Sequence, residues 1–180
     1  MRNTNKVKII PLGGLHEVGK NLTVVEYRDD IIIIDCGMTF PEDEMLGIDV
    51  VIPDVTYLIK NKEKIRGLVL THGHEDHIGA IPYVLKKVKM PIYGTPWTMR
   101  LLENKLKEYN LGKVDMNIVR AGDRVKLGKM ECEWIRVNHS IPGSCALAIK
   151  TPLGVVFHTG DFKVDYTPVS GDIIDLHRIA

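Results

Sequence analysis

Between Thr71 and His77 the chain reads Thr-His-Gly-His-Glu-Asp-His, which places His72, His74, Asp76 and His77 within six consecutive positions. An apolar, strand-like stretch precedes this run and a helix-like pattern follows it. His-x-His on an extended turn can aim two imidazoles at one ion, while Asp76 and His77 at a helix start point a second pair towards a neighbouring site. Two more candidates stand where strand-like runs end: His139 after Trp134 to Val137, and Asp161 after Val155 to Thr159. Loops at strand ends are where sites are built on a rigid scaffold. His72, His74 and His139 suit a catalytic zinc, and Asp161 can bridge to a second ion held by Asp76 and His77. That second set is short of protein ligands. Two ions about 3.5–4 Å apart would bring a shared water to a pKa near neutrality, orient it and stabilise the charge of a hydrolytic transition state. Asp76, His77 and Asp161 are therefore assigned to catalysis as well as to metal binding. The bland alternative for the run is a polar turn.

Asp35 closes the run Ile31 to Ile34 and can accept a hydrogen bond from a ligating imidazole, fixing its tautomer from behind the ligands, or act as an ordinary cap or turn residue. Glu75 is expected to face solvent or to stand behind the ligands rather than act as a general base, His158 to be a satisfied core histidine, and His16 and His177 to be structural. Cys36 and Cys145 read as core packing, because a three-imidazole site already has its donors. A Gly-x-Ser-x-Gly elbow, a phosphate-binding Gly-x-x-x-x-Gly-Lys-Ser/Thr loop, a strand-linked Gly-x-Gly-x-x-Gly and a zinc-finger Cys spacing are all missing from the sequence.

The elements that must position these residues follow from the pattern. Val7 to Ile10, Leu22 to Tyr27 and Ile31 to Asp35 are β-branched runs, the last two joined by Arg28-Asp29-Asp30, and predict an N-terminal meander. A helix is predicted from Asp54 as N-cap to about Lys62, and a buried strand over Gly67 to Thr71. Ile78, Ile81, Val84, Leu85 and Val88 recur at helical spacing, with Lys86, Lys87 and Lys89 at the negative pole of that helix. Pro91 to Tyr93 reads as a strand, and Thr95-Pro96 as N-cap and first residue of a helix reaching Tyr109, with Met99, Leu102, Leu106 and Tyr109 as its apolar stripe. Strands return at Met116 to Arg120, Arg124 to Leu127, Met130 to Val137, Cys145 to Thr151 and Val155 to Thr159. Strand runs at both ends with strand–helix units between them predict an α/β fold of αββα layering rather than a doubly wound sheet.

Composition bounds the rest. The 180 residues carry 24 Lys+Arg and 23 Asp+Glu, a formal net charge of +1, so charge alone points to neither a polyanion nor a membrane surface. The chain is long enough for one domain. No run of apolar residues is long enough for a membrane span, and the polar N-terminus lacks a signal-peptide pattern. Cys36, Cys132 and Cys145 are odd in number and scattered, which suits free thiols in a reducing compartment and predicts a cytoplasmic protein.

His72, His74, Asp76, His77, His139 and Asp161 in this order resemble the metallo-β-lactamase superfamily, an αββα sandwich with those ligands at strand ends. Gly13 through Asn21, Phe40 through Gly47, Thr71 through Leu85, His139-Ser140-Ile141-Pro142 and His158 through Lys163 resemble, within it, the ribonuclease J family of β-CASP nucleases. The resemblance covers nearly the whole chain. It implies a hydrolase that cuts RNA phosphodiesters as a 5′-to-3′ exonuclease and endonuclease in RNA maturation and decay, including rRNA processing. It also implies two zinc ions per complete site, with Mn2+ or Mg2+ as alternatives, RNA as partner, and homo-oligomers of the full-length protein. Asp35 would match the family's first motif.

Family members insert a β-CASP domain and resume the metallo-β-lactamase domain after it. Residues 1–180 are accordingly expected to be the N-terminal portion of that domain, an incomplete sandwich without the β-CASP and C-terminal domains. A further histidine ligand and the RNA-gripping residues would then lie elsewhere, His177 does not fit that ligand's motif, and the piece alone is expected to be weak or inactive. Apolar faces left uncovered would favour self-association. Two rival readings are a stand-alone hydrolase of a small ester, thioester or lactam on the same fold, and a non-catalytic metal-binding or assembly module.

Overall fold

A computed structural model describes residues 5–169 and 171–180. Strands β1 (Val7–Gly13), β2 (Leu22–Tyr27), β3 (Asp30–Ile34), β4 (Ile65–Val69), β5 (Ile92–Gly94) and β6 (Met116–Ile118) form one six-stranded sheet in sequence order. The first three pair antiparallel and the last four parallel. Parallel neighbours need crossovers, and these are α1 (Thr56–Lys60), the pair α2 (Glu75–Ile78) and α3 (Ile81–Leu85), and α4 (Pro96–Leu106). A second, antiparallel sheet has the order β10-β9-β8-β7, with β7 (Arg124–Leu127), β8 (Met130–Arg136), β9 (Cys145–Thr151) and β10 (Gly154–His158).

The run Ile31 to Ile34 is apolar throughout because β3 is buried on both faces. Side chains alternate across a strand. Ile31 and Ile33 thus join Leu68, Leu70, Leu58, Ile81, Leu85 and Leu102 in a core under the helices. Ile32 and Ile34, with Val69, meet Trp134, Leu147 and Ile149 in a second core between the sheets. Trp134 is fully buried, and its indole N–H donates to the Leu70 carbonyl at 3.1 Å, tying the second sheet to the chain just before His72. The outer face of the second sheet is covered only in part: Ile135, Val137 and Ala146 pack with Ile174, and α5 (Leu176–Ile179) lies beside them. Val155 and Phe157 on β10 stay exposed. The described residues layer as αββ, with Ile174 and α5 against the outer face of the second sheet.

Several boundaries differ from the sequence pattern. The first predicted helix is only Thr56–Lys60; Asp54 accepts the Thr56 N–H at 2.8 Å, but the residue at the cap is Val55. The apolar series from Ile78 to Val88 is split at Gly79 and Ala80 into α2 and α3 and leaves the helix after Leu85. Pro82 explains the break, because it has no N–H for the carbonyl four residues back and its ring crowds that carbonyl. Thr95 precedes α4 without capping it through its side chain, since its hydroxyl donates instead to the Gly143 carbonyl at 2.8 Å. The helix ends at Leu106 rather than Tyr109.

Candidate metal centre

The carboxyl ends of the parallel strands open on one edge of the sandwich, the usual place for a site in such sheets. Asp35 follows β3, Thr71 through His74 follow β4, and from the second sheet His139 follows β8 and Asp161 follows β10. Backbone bonds draw these segments together. Cys145 N–H donates to the Thr71 carbonyl at 2.9 Å, and Lys163 N–H to the Asn138 carbonyl at 2.7 Å, which holds the Asp161 loop beside His139.

His74 is the extended residue before α2, so Asp76 and His77 fall in its first turn. A helix this short needs external support. The Glu75, Asp76 and His77 carbonyls accept from the N–H groups of Met38, Asn21 and Cys36 at 3.1, 3.1 and 2.7 Å. Gly37 lies so close to α2 that a Cβ there would stand 1.5 Å from the Asp76 carbonyl oxygen. Only glycine fits this contact.

Two groups of donors result. His72 Nε2 lies 3.0 Å from His74 Nδ1, which lies 3.2 Å from His139 Nε2. His77 Nε2 lies 3.4 Å from Asp76 Oδ2 and 3.5 Å from Asp161 Oδ2. The three imidazoles His72, His74 and His139 form one set of atoms within 4.8 Å of one another, and His72, His77 and Asp161 form another. Tetrahedral zinc with Zn–N bonds of about 2.0–2.1 Å would separate its nitrogens by roughly 3.4 Å. His74 Nδ1 at 3.0 and 3.2 Å from the other two nitrogens, with all three within 4.8 Å of one another, leaves a set that fits a cation between them.

Behind the donors Asp35, 1% exposed, accepts three bonds. Thr71 N–H reaches Oδ1 at 2.8 Å, while the Thr71 hydroxyl and His77 Nδ1 reach Oδ2, both at 2.8 Å. The backbone of Asp35 is left-handed (φ 56°), a conformation that Asp tolerates better than most residues. Burial works against the Asp35 carboxylate, but the facing His77 and the Thr71 bond hold it below its ordinary value. Burial likewise opposes charge on His77, yet Asp35 and Asp76 raise it to about 10. His72 is pushed down to about 4 by burial and by the nearby His77, and burial also lowers His139. Neutral imidazoles are the form that binds metal. Asp35 and Asp76, both held below the ordinary carboxylate value, bring negative charge to the donors, which suits a cation.

All six expected donors and Asp35 converge. Glu75 is exposed and pairs with Lys105 at 2.8 Å, as expected. Burial raises the thiols of Cys36 and Cys132, and that of Cys145 to about 12, so none of the three is a ready nucleophile. His158 differs from expectation: it is half-buried at the end of β10, and its Nδ1 accepts from the Gly160 N–H at 3.1 Å. Two contributors were not foreseen. Thr71 joins Asp35 to His72, its only sequence signal being a hydroxyl at the end of an apolar strand. Asn21 brings its amide nitrogen within 3.3 Å of Asp76 Oδ2 and 3.2 Å of His77 Nε2, with no local signal at all. A cavity of about 700 Å3 opens beside His139, with Arg120, Arg136, Ser140 and Asn138 in its wall. Arg136 pairs there with Asp172 at 2.8 Å. No helix among the described residues is long and apolar enough to cross a membrane.

Residues 17–178 match the model of the metallo-beta-lactamase superfamily. The chain is 53% identical over 180 residues to a ribonuclease J of Synechocystis, covering 98% of this chain and 28% of that protein. It is 47% identical over 176 residues to a ribonuclease J of Helicobacter pylori, covering 97% of this chain and 26% of that protein. It thus spans only about a quarter of the length of these relatives. Among solved structures, a protein of unknown function from Enterococcus faecalis superimposes with a TM-score of 0.70 at 21% identity, over 88% of this chain and 44% of that one.

Proposed function

Because the chain belongs to the metallo-β-lactamase superfamily and matches ribonucleases J along nearly its whole length, we propose that it is the metal-binding portion of a ribonuclease that hydrolyses RNA phosphodiesters. The single observation that carries this reading is the convergence of His72 Nε2, His74 Nδ1 and His139 Nε2 beside Asp76, His77 and Asp161. His72, His74 and His139 would hold one divalent ion, and Asp76, His77 and Asp161 a second. When bound, the pair would supply Lewis acidity and a water acidic enough to lose a proton near neutral pH. Zinc suits the imidazole set, with manganese or magnesium as alternatives at the oxygen-richer one.

The chain's own residues do the positioning. Asp35 holds His77 with its Nδ1 turned inward and Nε2 towards the carboxylates. Arg120, in the wall of the cavity beside His139, places positive charge where the backbone of a single strand would run on from the scissile phosphate. Cleavage proceeds from the 5′ end and internally, as the family resemblance implies. Residues 1–180 form the N-terminal portion of the catalytic domain, with β-CASP and C-terminal domains as separate regions and weak activity for this portion alone. The protein works in the cytoplasm on rRNA precursors and other transcripts, as a homo-oligomer and without a membrane partner.

The test is cleavage of a 5′-monophosphorylated, 3′-labelled RNA with zinc, manganese or magnesium added to chelator-treated protein. The expected result is metal-dependent cleavage that His74→Ala abolishes. Hydrolysis of a thioester or lactam with RNA left intact would replace the reading with a small-substrate hydrolase. Metal uptake without turnover of either would favour an assembly module.

A further inference from the structure

We propose that Thr71 is a positioning residue whose hydroxyl transmits the orientation set by Asp35 to His72, so that one buried carboxylate fixes an imidazole in each of the two donor groups. Asp35 Oδ2 is 2.8 Å from Thr71 Oγ1 and 2.8 Å from His77 Nδ1, and a carboxylate oxygen only accepts. The single hydroxyl proton of Thr71 is therefore spent on Asp35. Thr71 Oγ1 also lies 2.9 Å from His72 Nδ1, and with its proton committed it can only accept there. His72 must then carry its proton on Nδ1, which leaves the Nε2 lone pair facing His74 Nδ1 at 3.0 Å. His77 is held the same way by the direct bond. The relay is fully enclosed: Thr71 and His72 are 0% exposed and Asp35 1%. Water therefore cannot substitute for any member. The register of the relay is fixed by backbone as well, because Thr71 N–H donates to Asp35 Oδ1 at 2.8 Å and the Thr71 carbonyl accepts from Cys145.

The hydroxyl, rather than the bulk of the side chain, is what the relay needs. Thr71→Val keeps the shape and removes the hydroxyl; Thr71→Ser keeps the hydroxyl and removes a methyl. The first readout is the pattern of 15N shifts of the His72 ring in the metal-free protein. This readout requires neither bound metal nor RNA cleavage, so it stands if the proposed function fails. The wild type and Thr71→Ser are expected to show protonated Nδ1 and bare Nε2, and Thr71→Val a mixed or reversed pattern with the fold preserved. The second readout, which rests on the two-ion reading above, is zinc affinity by chelator competition. Partners behind a metal ligand typically contribute 10–100-fold in affinity. Thr71→Val is expected to lose at least tenfold, while Thr71→Ser stays within about threefold of the wild type, the difference being the hydroxyl bond alone. An unchanged His72 tautomer in Thr71→Val would overturn the proposal. So would a Thr71→Ser variant that folds yet shows the same altered tautomer as Thr71→Val, because packing rather than the hydroxyl would then be responsible.

Discussion

Replacing Asp35 by Asn perturbs the centre of the site with almost no change of shape. Asn tolerates the left-handed backbone at this position (φ 56°), so strain contributes little. The carboxylate accepts three bonds, two of them on Oδ2. An amide can keep its oxygen towards Thr71 N–H, but its NH2 then faces the Thr71 hydroxyl and His77 Nδ1–H, donor against donor. Turning the amide over moves the conflict to Thr71 N–H. Hydrogen bonds to a charged group contribute about 1.5–3 kcal/mol each; two are lost with the amide oxygen on Thr71 N–H, and one, with that N–H left facing a donor, when the amide is turned over. Rotation of the Thr71 hydroxyl and a tautomer change at His77 recover part, leaving a loss of about 3 kcal/mol. For a chain of this size each kcal/mol moves Tm by about 2–4 °C, so the metal-free variant should melt roughly 6–12 °C lower. With the oxygen on Thr71 N–H, both rescues place a proton on the nitrogen that should face metal, and either arrangement removes the negative charge behind His77, so zinc affinity should fall by about 10–100-fold at the same time. The assay is thermal unfolding in chelator followed by a zinc titration of the same samples. A variant that melts within about 2 °C of the wild type and binds zinc equally well would refute the reasoning, on the same scale of about 2–4 °C per kcal/mol.

Further outcomes follow from the packing and the charges. Gly37→Ala should displace α2, because its Cβ would sit 1.5 Å from the Asp76 carbonyl oxygen; near-native circular dichroism with loss of metal binding would be the signature. Trp134→Phe removes the indole donor to the buried Leu70 carbonyl, and should cost about 1–3 kcal/mol in chemical denaturation. Glu26 and Glu133 are held below their ordinary value of 4.5. Burial opposes this at Glu26, where Tyr57 and Lys8 prevail, and Arg178 leads at Glu133. Their contribution is present above pH 4.5 and is lost as the pH falls through their lower folded values, so an acid titration followed by fluorescence should show destabilisation beginning below pH 4.5. Arg120→Ala should weaken RNA binding and flatten its salt dependence while leaving zinc affinity unchanged, as measured by fluorescence anisotropy at two ionic strengths.

The candidate metal ligands were legible because six polar side chains of metal-binding type stand where apolar strands stop, and a strand end is a fixed point of the fold. The layering was legible for a similar reason: a run such as Ile31 to Ile34 fits only a strand covered on both faces. What lies behind the ligands was harder to read. The Asn21 amide meets Asp76 and His77 only because the loop after β1 folds back onto α2, a contact across 55 positions with no local pattern. Thr71 was read as the last residue of a strand, although its hydroxyl does more than end one. The break between α2 and α3 was visible in Pro82, but the spacing of Ile78, Ile81, Val84 and Leu85 outweighed it; those residues all reach the core even though the helix between them is interrupted. Thr95 shows the same effect of tertiary context, since the loop at Gly143 takes the hydroxyl that the local pattern assigned to the helix.

The central claim is that this chain builds a centre for two divalent ions from six donors on three stretches of chain, His72 to His77, His139 and Asp161. Elemental analysis of metal per chain, on protein purified without chelator and compared with His139→Ala and Asp161→Ala, tests it most directly. The account predicts close to two ions in the wild type, with His139→Ala reducing the imidazole site and Asp161→Ala the carboxylate site. A wild type that binds no ion after zinc is offered, or metal content unchanged by both substitutions, would contradict it.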